Sequence, residues 1–269
     1  MVQLEASRLH HTPLLPSLSS DIPLALTMLL TPVILLATAA FAHPPSFNAH
    51  PYAHHSSLTK RIVNATESGL IVDVGYSIFR GYVDNSTGLN TWRGIRFGED
   101  TSKTRWQAPR APVTNRTAVI DATSYAPICP QAPDASSTYE KWDDGETTED
   151  CLFLNVQAPR NVTSETGLPV FVAIHGGGYG SGDNQFDWSK LMATNDNKFI
   201  AVSFQYRLNA FGFLSSDEVH RKGTPNAGLL DQQLAMQWVQ QYINLFGGDK
   251  TRVTIFGQSA GGGSVMLHE

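Results

Sequence analysis

Val253-Thr254-Ile255-Phe256-Gly257-Gln258-Ser259-Ala260-Gly261 is the stretch on which the fold turns. Its first four residues are apolar or β-branched and read as a strand. Gly257 to Gly261 then form a G-x-S-x-G turn, and Gly262-Gly263-Ser264-Val265 starts a helix. A serine at such a strand-to-helix bend points its Oγ off the sheet. A Cβ at either flanking glycine would collide with neighbouring backbone. The pattern alone is a weak signal, because its fixed residues are common ones, at about 7% each in average sequences. The apolar strand before it and the helix after it give it weight.

Working outward toward the N-terminus, residues Gly228 to Leu245 predict a helix. Leu230, Leu234, Trp238, Tyr242 and Leu245 fall on one stripe. Asn226 is the candidate N-cap and Gly247-Gly248 the stop. Two more apolar runs precede it, Phe199 to Phe204 (FIAVSF) and Leu168 to Ile174 (LPVFVAI). Runs without alternation suit parallel strands buried on both faces. Strand, helix, strand is the pattern of a βαβ unit, and the fold class is therefore α/β with an open sheet. From Leu70 to Phe97, short apolar stretches broken by Asp84-Asn85-Ser86-Thr87-Gly88 predict antiparallel strands with turns. Ala126 to Asp150 is a polar loop bounded by the two cysteines.

A second glycine-rich turn, His175-Gly176-Gly177-Gly178-Tyr179-Gly180-Ser181-Gly182, follows the run LPVFVAI. Acyl transfer builds negative charge on a carbonyl oxygen, and preset backbone N–H groups stabilise it; losing one such donor costs about 3 to 4 kcal/mol. Glycines let the backbone approach within hydrogen-bond reach. A phosphate-binding loop is excluded by spacing. Ser181 and Asp183 stand where G-x-G-x-x-G needs glycine, and no G-K-S/T occurs.

The composition sets outer bounds. The chain has 269 residues, 41% hydrophobic and 16% charged, too apolar for a disordered protein. With 19 Lys and Arg against 24 Asp and Glu, the net charge is −5. That is no match for a polyanion, and no nucleic-acid partner is expected. Two cysteines, Cys129 and Cys151, exclude a disulfide-dense scaffold and a four-cysteine metal site. They leave one bridge or two free thiols. His50, His54 and His55 lack an acidic partner or helical register, so no metal is expected.

Ile22 to Ala42 is an apolar run ending in Ala40-Phe41-Ala42, a small-x-small pattern. Residues 1–42 are therefore expected to be a signal peptide cleaved after Ala42, although the segment is long and poorly charged. A buried core helix or a retained anchor are the alternatives. His43 to Lys60, rich in His and Pro, is expected to be a flexible linker or propeptide, and 61–269 the folded domain. Secretion agrees with sequons at Asn64, Asn85, Asn115 and Asn161. In an oxidising compartment Cys129 and Cys151 would pair. No stable membrane association is expected after cleavage.

The two turns and their surroundings resemble the type-B carboxylesterase/lipase family, relatives of the cholinesterases. The likeness rests on Trp92-Arg93-Gly94-Ile95-Arg96-Phe97, Arg105-Trp106-Gln107-Ala108-Pro109 and Glu149-Asp150-Cys151-Leu152-Phe153-Leu154-Asn155-Val156. It continues in Tyr206-Arg207-Leu208-Asn209-Ala210-Phe211-Gly212-Phe213-Leu214 and in Asn226 to Gln232 running into the turn at Ser259. The resemblance implies the N-terminal portion of an α/β-hydrolase fold, mostly parallel, with an antiparallel start. It implies a serine carboxylic ester hydrolase working through an acyl-enzyme on a small-molecule ester, without cofactor or metal. Ser259 would be the nucleophile, and Gly177, Gly178 and Ala260 the oxyanion-hole donors. It further implies a Cys129–Cys151 bridge and two buried ion pairs, Arg105 with Glu149 and Arg207 with Asp231. Gln258 stands where many relatives carry Glu. Trp142, followed by Asp143 and Asp144, could offer a face to a quaternary ammonium, or simply pack as a loop tryptophan.

The family order is nucleophile, acid, then histidine. Of nine histidines only His268 follows Ser259, and it is expected to point away from it. His175 is read as a loop-shaping residue. The expectation is thus a truncated domain, inactive as it stands, with an open sheet edge. A lipase of the same family, or a catalytically dead binding or adhesion protein, are the alternatives.

Overall fold

The computed structural model describes residues 70–132 and 147–268. The signal-peptide and linker readings, Asn64 and Trp142 lie outside the described residues. The order opens with β1 (Ile71–Asp73), β2 (Ile78–Arg80), β3 (Tyr82–Asp84), β4 (Leu89–Arg96), β5 (Val119–Asp121), β6 (Phe153–Ala158) and β7 (Leu168–Ile174). Helix α1 (Ser189–Ala193) leads to β8 (Ile200–Phe204). Helices α2 (Asn209–Phe213), α3 (Asp217–Lys222) and α4 (Ala227–Tyr242) precede β9 (Gly248–Gly257) and α5 (Ala260–Leu267). The strands form a three-stranded sheet, β1-β2-β5, and a six-stranded sheet, β3-β4-β6-β8-β7-β9.

The run LPVFVAI is strand β7 from end to end, and β8 is buried along its whole length. Both follow from the lack of polar alternation. The antiparallel part of the larger sheet is bigger than expected: β3–β4, β4–β6 and β6–β8 are antiparallel, and only β8–β7 and β7–β9 are parallel. β9 departs from the reading of a strand buried on both faces. Thr254 and Phe256 are exposed, and among the described residues the strand pairs only with β7. The face of β9 that carries Arg252, Thr254 and Phe256 is left open, and apolar character alone did not report that.

Helix α4 buries Leu234, Ala235, Trp238, Val239 and Tyr242 against the sheet core around Val156, Val172, Ile174 and Val202. The expected helix ran to Leu245. The α-helix stops at Tyr242, and Ile243–Phe246 tightens into a 3-10 turn ending at Gly247 in the left-handed region. Asn226 occupies the N-cap position but at φ 56°, with no side-chain cap. Its carbonyl accepts from Leu229 and Leu230 instead. The indole of Trp238 donates to Tyr76 Oη at 2.9 Å, satisfying a polar atom of the largest fully buried side chain.

Candidate active site

Strands β7 and β9 are adjacent and parallel, with Ile174 opposite Gly257. The chain therefore leaves both strands at the same end and level. One exit begins His175-Gly176-Gly177-Gly178 and the other Gln258-Ser259-Ala260. A Cβ placed on Gly176 would lie 2.6 Å from the Gln258 carbonyl oxygen and 3.1 Å from Ser259 Cβ. A Cβ on Gly261 would lie 2.1 Å from the Ile174 carbonyl oxygen. Only glycine permits two backbones that close.

Ser259 has φ 55° and ψ −124°, a conformation costing an L-residue on the order of 1–3 kcal/mol unless its surroundings enforce it. Its side chain is exposed, and Ala260 begins α5. The first amides of a helix have no intrahelical acceptor. Among the described residues the N–H groups of Gly177, Gly178 and Ala260 make no hydrogen bond. Gly177 and Gly178 are also exposed, both with positive φ. Unbonded donors thus lie on both turns, and one of the turns carries the Ser259 hydroxyl on a sharp bend.

The glycine turn is held at several points. The Gly180 and Ser181 amides donate to Gly177 O at 3.0 Å each. Gln131 brackets Gly182, accepting its N–H at 2.6 Å and donating to its carbonyl at 3.1 Å. Tyr206 donates from Oη to the His175 carbonyl at 2.8 Å, and its ring stacks on the imidazole at 4.3 Å. Gln131 and Tyr206 were not singled out from the sequence. Tyr206 lay inside a quoted stretch, but nothing marked its hydroxyl as a clamp.

Among the described residues no histidine is hydrogen-bonded to Ser259. His175 directs Nδ1 to Gly176 O at 2.9 Å, so that nitrogen carries the proton. Burial pushes its pKa down, opposed by the Gly176 carbonyl and Asp183. His268 does not point into open space: its Nε2 meets Gln232 Oε1 at 2.8 Å. Burial lowers its pKa too. The remaining described histidine, His220, is exposed on α3.

Cys129 and Cys151 form a disulfide, with Cα atoms 5.0 Å apart, anchoring both ends of the loop that contains Trp142. Both expected ion pairs form, but only one is buried. Arg207 and Asp231 side chains are 2% and 0% exposed. Arg105 chelates Glu149 with both Nε and Nη2, yet its side chain is 46% exposed. It sits on an outer loop, which charge pairing alone could not reveal. Asn85, Asn115 and Asn161 are all exposed.

A cavity of about 570 Å³ opens beside the two turns, bordered by Gly176, Gln258, Phe186, Trp188, Phe204 and Phe256. Ala173 and Ile174 line it beside these aromatics, together with the polar Asp183, Asn184, Gln185 and Ser203.

A model of the Carboxylesterase family matches residues 68–269. The chain belongs to the carboxylesterase family. The chain is 41% identical over 217 residues to a secreted lipase of Arthroderma benhamiae, covering 78% of the chain and 38% of that lipase. It is 40% identical over 200 residues to a para-nitrobenzyl esterase of Bacillus subtilis, covering 72% and 39%. Among solved structures it is similar to Aspergillus niger EstA, at TM-score 0.67 and 38% identity over 74% of this chain and 37% of that one. Its fold is that of the α/β-hydrolases. The chain thus spans about two fifths of the length of the relatives it matches.

Proposed function

We propose that this carboxylesterase chain carries the nucleophile and oxyanion portion of a serine carboxylic ester hydrolase. The observation that carries the reading is Ser259 on its left-handed bend, beside a glycine turn whose Gly177 and Gly178 amides are free. In the proposed reaction Ser259 Oγ bonds to the ester carbonyl carbon as its proton passes to a base. The carbonyl oxygen becomes an oxyanion facing the Gly177, Gly178 and Ala260 amides. The alcohol leaves with a proton, and water then cleaves the acyl-enzyme, returning the serine hydroxyl. No described histidine is hydrogen-bonded to Ser259 Oγ: His175 Nδ1 meets Gly176 O and His268 Nε2 meets Gln232 Oε1. Without the base, rates of related enzymes fall about 10⁴- to 10⁶-fold, so slow acylation is the expectation for residues 1–269 alone. The partly aromatic cavity at Gly176 and Gln258 suits a small ester with an apolar group.

A fluorophosphonate probe tests this. Slow covalent labelling that maps to Ser259 and vanishes in Ser259→Ala is expected. A folded chain that takes no label, or an unchanged Ser259→Ala, would overturn the reading. A lipase preference is the second reading, favoured by the name of the Arthroderma relative. It requires faster turnover of long-chain than of short-chain p-nitrophenyl esters by a product that includes the base.

Export is proposed as well, with cleavage after Ala42 and glycans at Asn64, Asn85, Asn115 and Asn161. Relatives named as secreted lipases support it, as do the disulfide and the exposure of the three described sequons. At Asn115 the Thr117 hydroxyl donates to Asn115 Oδ1 at 2.8 Å. Among the described residues no helix is long and apolar enough to cross a membrane. N-terminal sequencing of the exported chain, and its mass before and after endoglycosidase, would test each part. A first residue other than His43 refutes the cleavage site, and an unchanged mass refutes the glycans.

A further inference from the structure

A buried file of hydrogen bonds runs behind the two turns. His268 Nε2 faces Gln232 Oε1 at 2.8 Å, and since an amide oxygen only accepts, the imidazole donates. Gln232 Nε2 donates to Ser264 Oγ at 3.0 Å, and the Ser264 hydroxyl meets Tyr179 Oη at 3.4 Å. Gln232 and Ser264 are both fully buried. The members come from three places: Gln232 from α4, Ser264 and His268 from α5 and its C-cap, and Tyr179 from the glycine turn.

Tyr179 is the far end of the file and the residue after Gly178. It stands at φ 60°, where a bulky residue persists only if surrounding contacts hold it. It packs against the main hydrophobic core. Its carbonyl accepts from Asn209 N at 2.7 Å, its ring lies 4.9 Å from that of Phe213, and its Oη meets Ser264. A Cβ on Gly263 would come within 2.9 Å of that same Oη, so α5 is close against the tyrosine. One helix therefore carries Ser259 at its N-cap and, five residues on, the serine that touches Tyr179.

We propose that Gln232, Ser264 and His268 are positioning residues that act through Tyr179, fixing the Gly177 and Gly178 amides relative to Ser259. Gln232 locks the rotation of α5, and Ser264 transmits that setting to the turn. The catalytic part of this statement rests on the proposed esterase reading, whereas the mechanical coupling does not.

Two mild variants of the 269-residue chain test it, Tyr179→Phe, which removes only the terminal oxygen, and Ser264→Ala. Hydrogen exchange of the peptide spanning 175–182 reads the turn directly, because the Gly180 and Ser181 amides are hydrogen-bonded to Gly177 O. Exchange about tenfold faster is expected in both variants, the loss of roughly one net hydrogen bond from the local closed state. Fluorophosphonate labelling of Ser259 should slow in parallel while the thermal midpoint stays close to that of the parent. Unchanged exchange in 175–182, or faster exchange confined to α5, overturns the coupling. If the turn loosens but the labelling rate holds, the positioning role fails. If the parent takes no label, the esterase reading fails, and the exchange result still decides the coupling.

Discussion

Arg207 donates to Asp231 from its backbone N–H, Nε and Nη2, with both side chains out of water. Its Nη1 is buried without a partner among the described residues. Removing one member leaves an uncompensated buried charge, at about 3–5 kcal/mol. Arg105 and Glu149 have comparable chemistry, but the Arg105 side chain is 46% exposed against 18% for that of Glu149, and a pair open to water on one side contributes about 1 kcal/mol or less. Urea unfolding should therefore show Arg207→Met strongly destabilised and Arg105→Met nearly unchanged; similar losses would contradict the assignment of burial. The charges of these pairs were legible in the sequence, but their burial was not. Tyr206 and Gln131 were illegible for a related reason, since nothing local marks a polar side chain that will meet a distant backbone. Ser259 was legible because steric exclusion forces glycine on both sides of it. His175 and His268 both sit below the ordinary histidine value of 6.5, burial being the first cause. The unfolded chain therefore binds these protons first as pH falls. Their contribution is complete above 6.5 and is lost from there down toward the folded-state values. Denaturant midpoints measured from about pH 7.5 to about pH 5.5 should fall, and His175→Gln with His268→Gln should flatten that fall.

Elements carried their own signals unevenly. β7 and β8 were readable because strands covered on both faces leave no room for polar alternation. β5 was not, because Val119, Ile120 and Asp121 are all exposed and join β2 from a distant part of the chain. The end of α4 was overestimated because the apolar stripe continues into the 3-10 turn, which holds the buried Ile243 and Phe246. The bridge between Cys129 and Cys151 closes a loop of 22 residues' separation. In the chain-entropy view, closing a loop of this size contributes about 3 kcal/mol. Reductant, or the paired change Cys129→Ala with Cys151→Ala, should lower the urea-unfolding free energy by that order. An unchanged midpoint would mean that the bridge adds nothing to the folded state.

The whole molecule presents an uneven surface. Phe186, Phe256, Met266 and Leu267 are 64%, 43%, 76% and 63% exposed, and the free side of β9 offers unpaired backbone groups among the described residues. Open strand edges and large apolar side chains in water favour association. The 269-residue chain is expected to elute well above its monomer mass. Met266→Lys with Leu267→Glu should shift light scattering toward the monomer, and a monodisperse parent chain would contradict this. Composition had set only outer bounds, and the βαβ pattern had indicated an open α/β sheet. The balance of antiparallel and parallel pairing could not be read in advance, because it depends on which strands become neighbours.

That neighbour relation has a kinetic side. Ile174 and Gly257 lie far apart in the chain yet sit opposite each other, so the bend at Ser259 has no meeting partner until β7 and β9 have zipped together. Contacts of long sequence separation form late and slowly. Quenching refolding samples with a serine-directed probe would therefore time that last closure, with Ser259 as the clock hand.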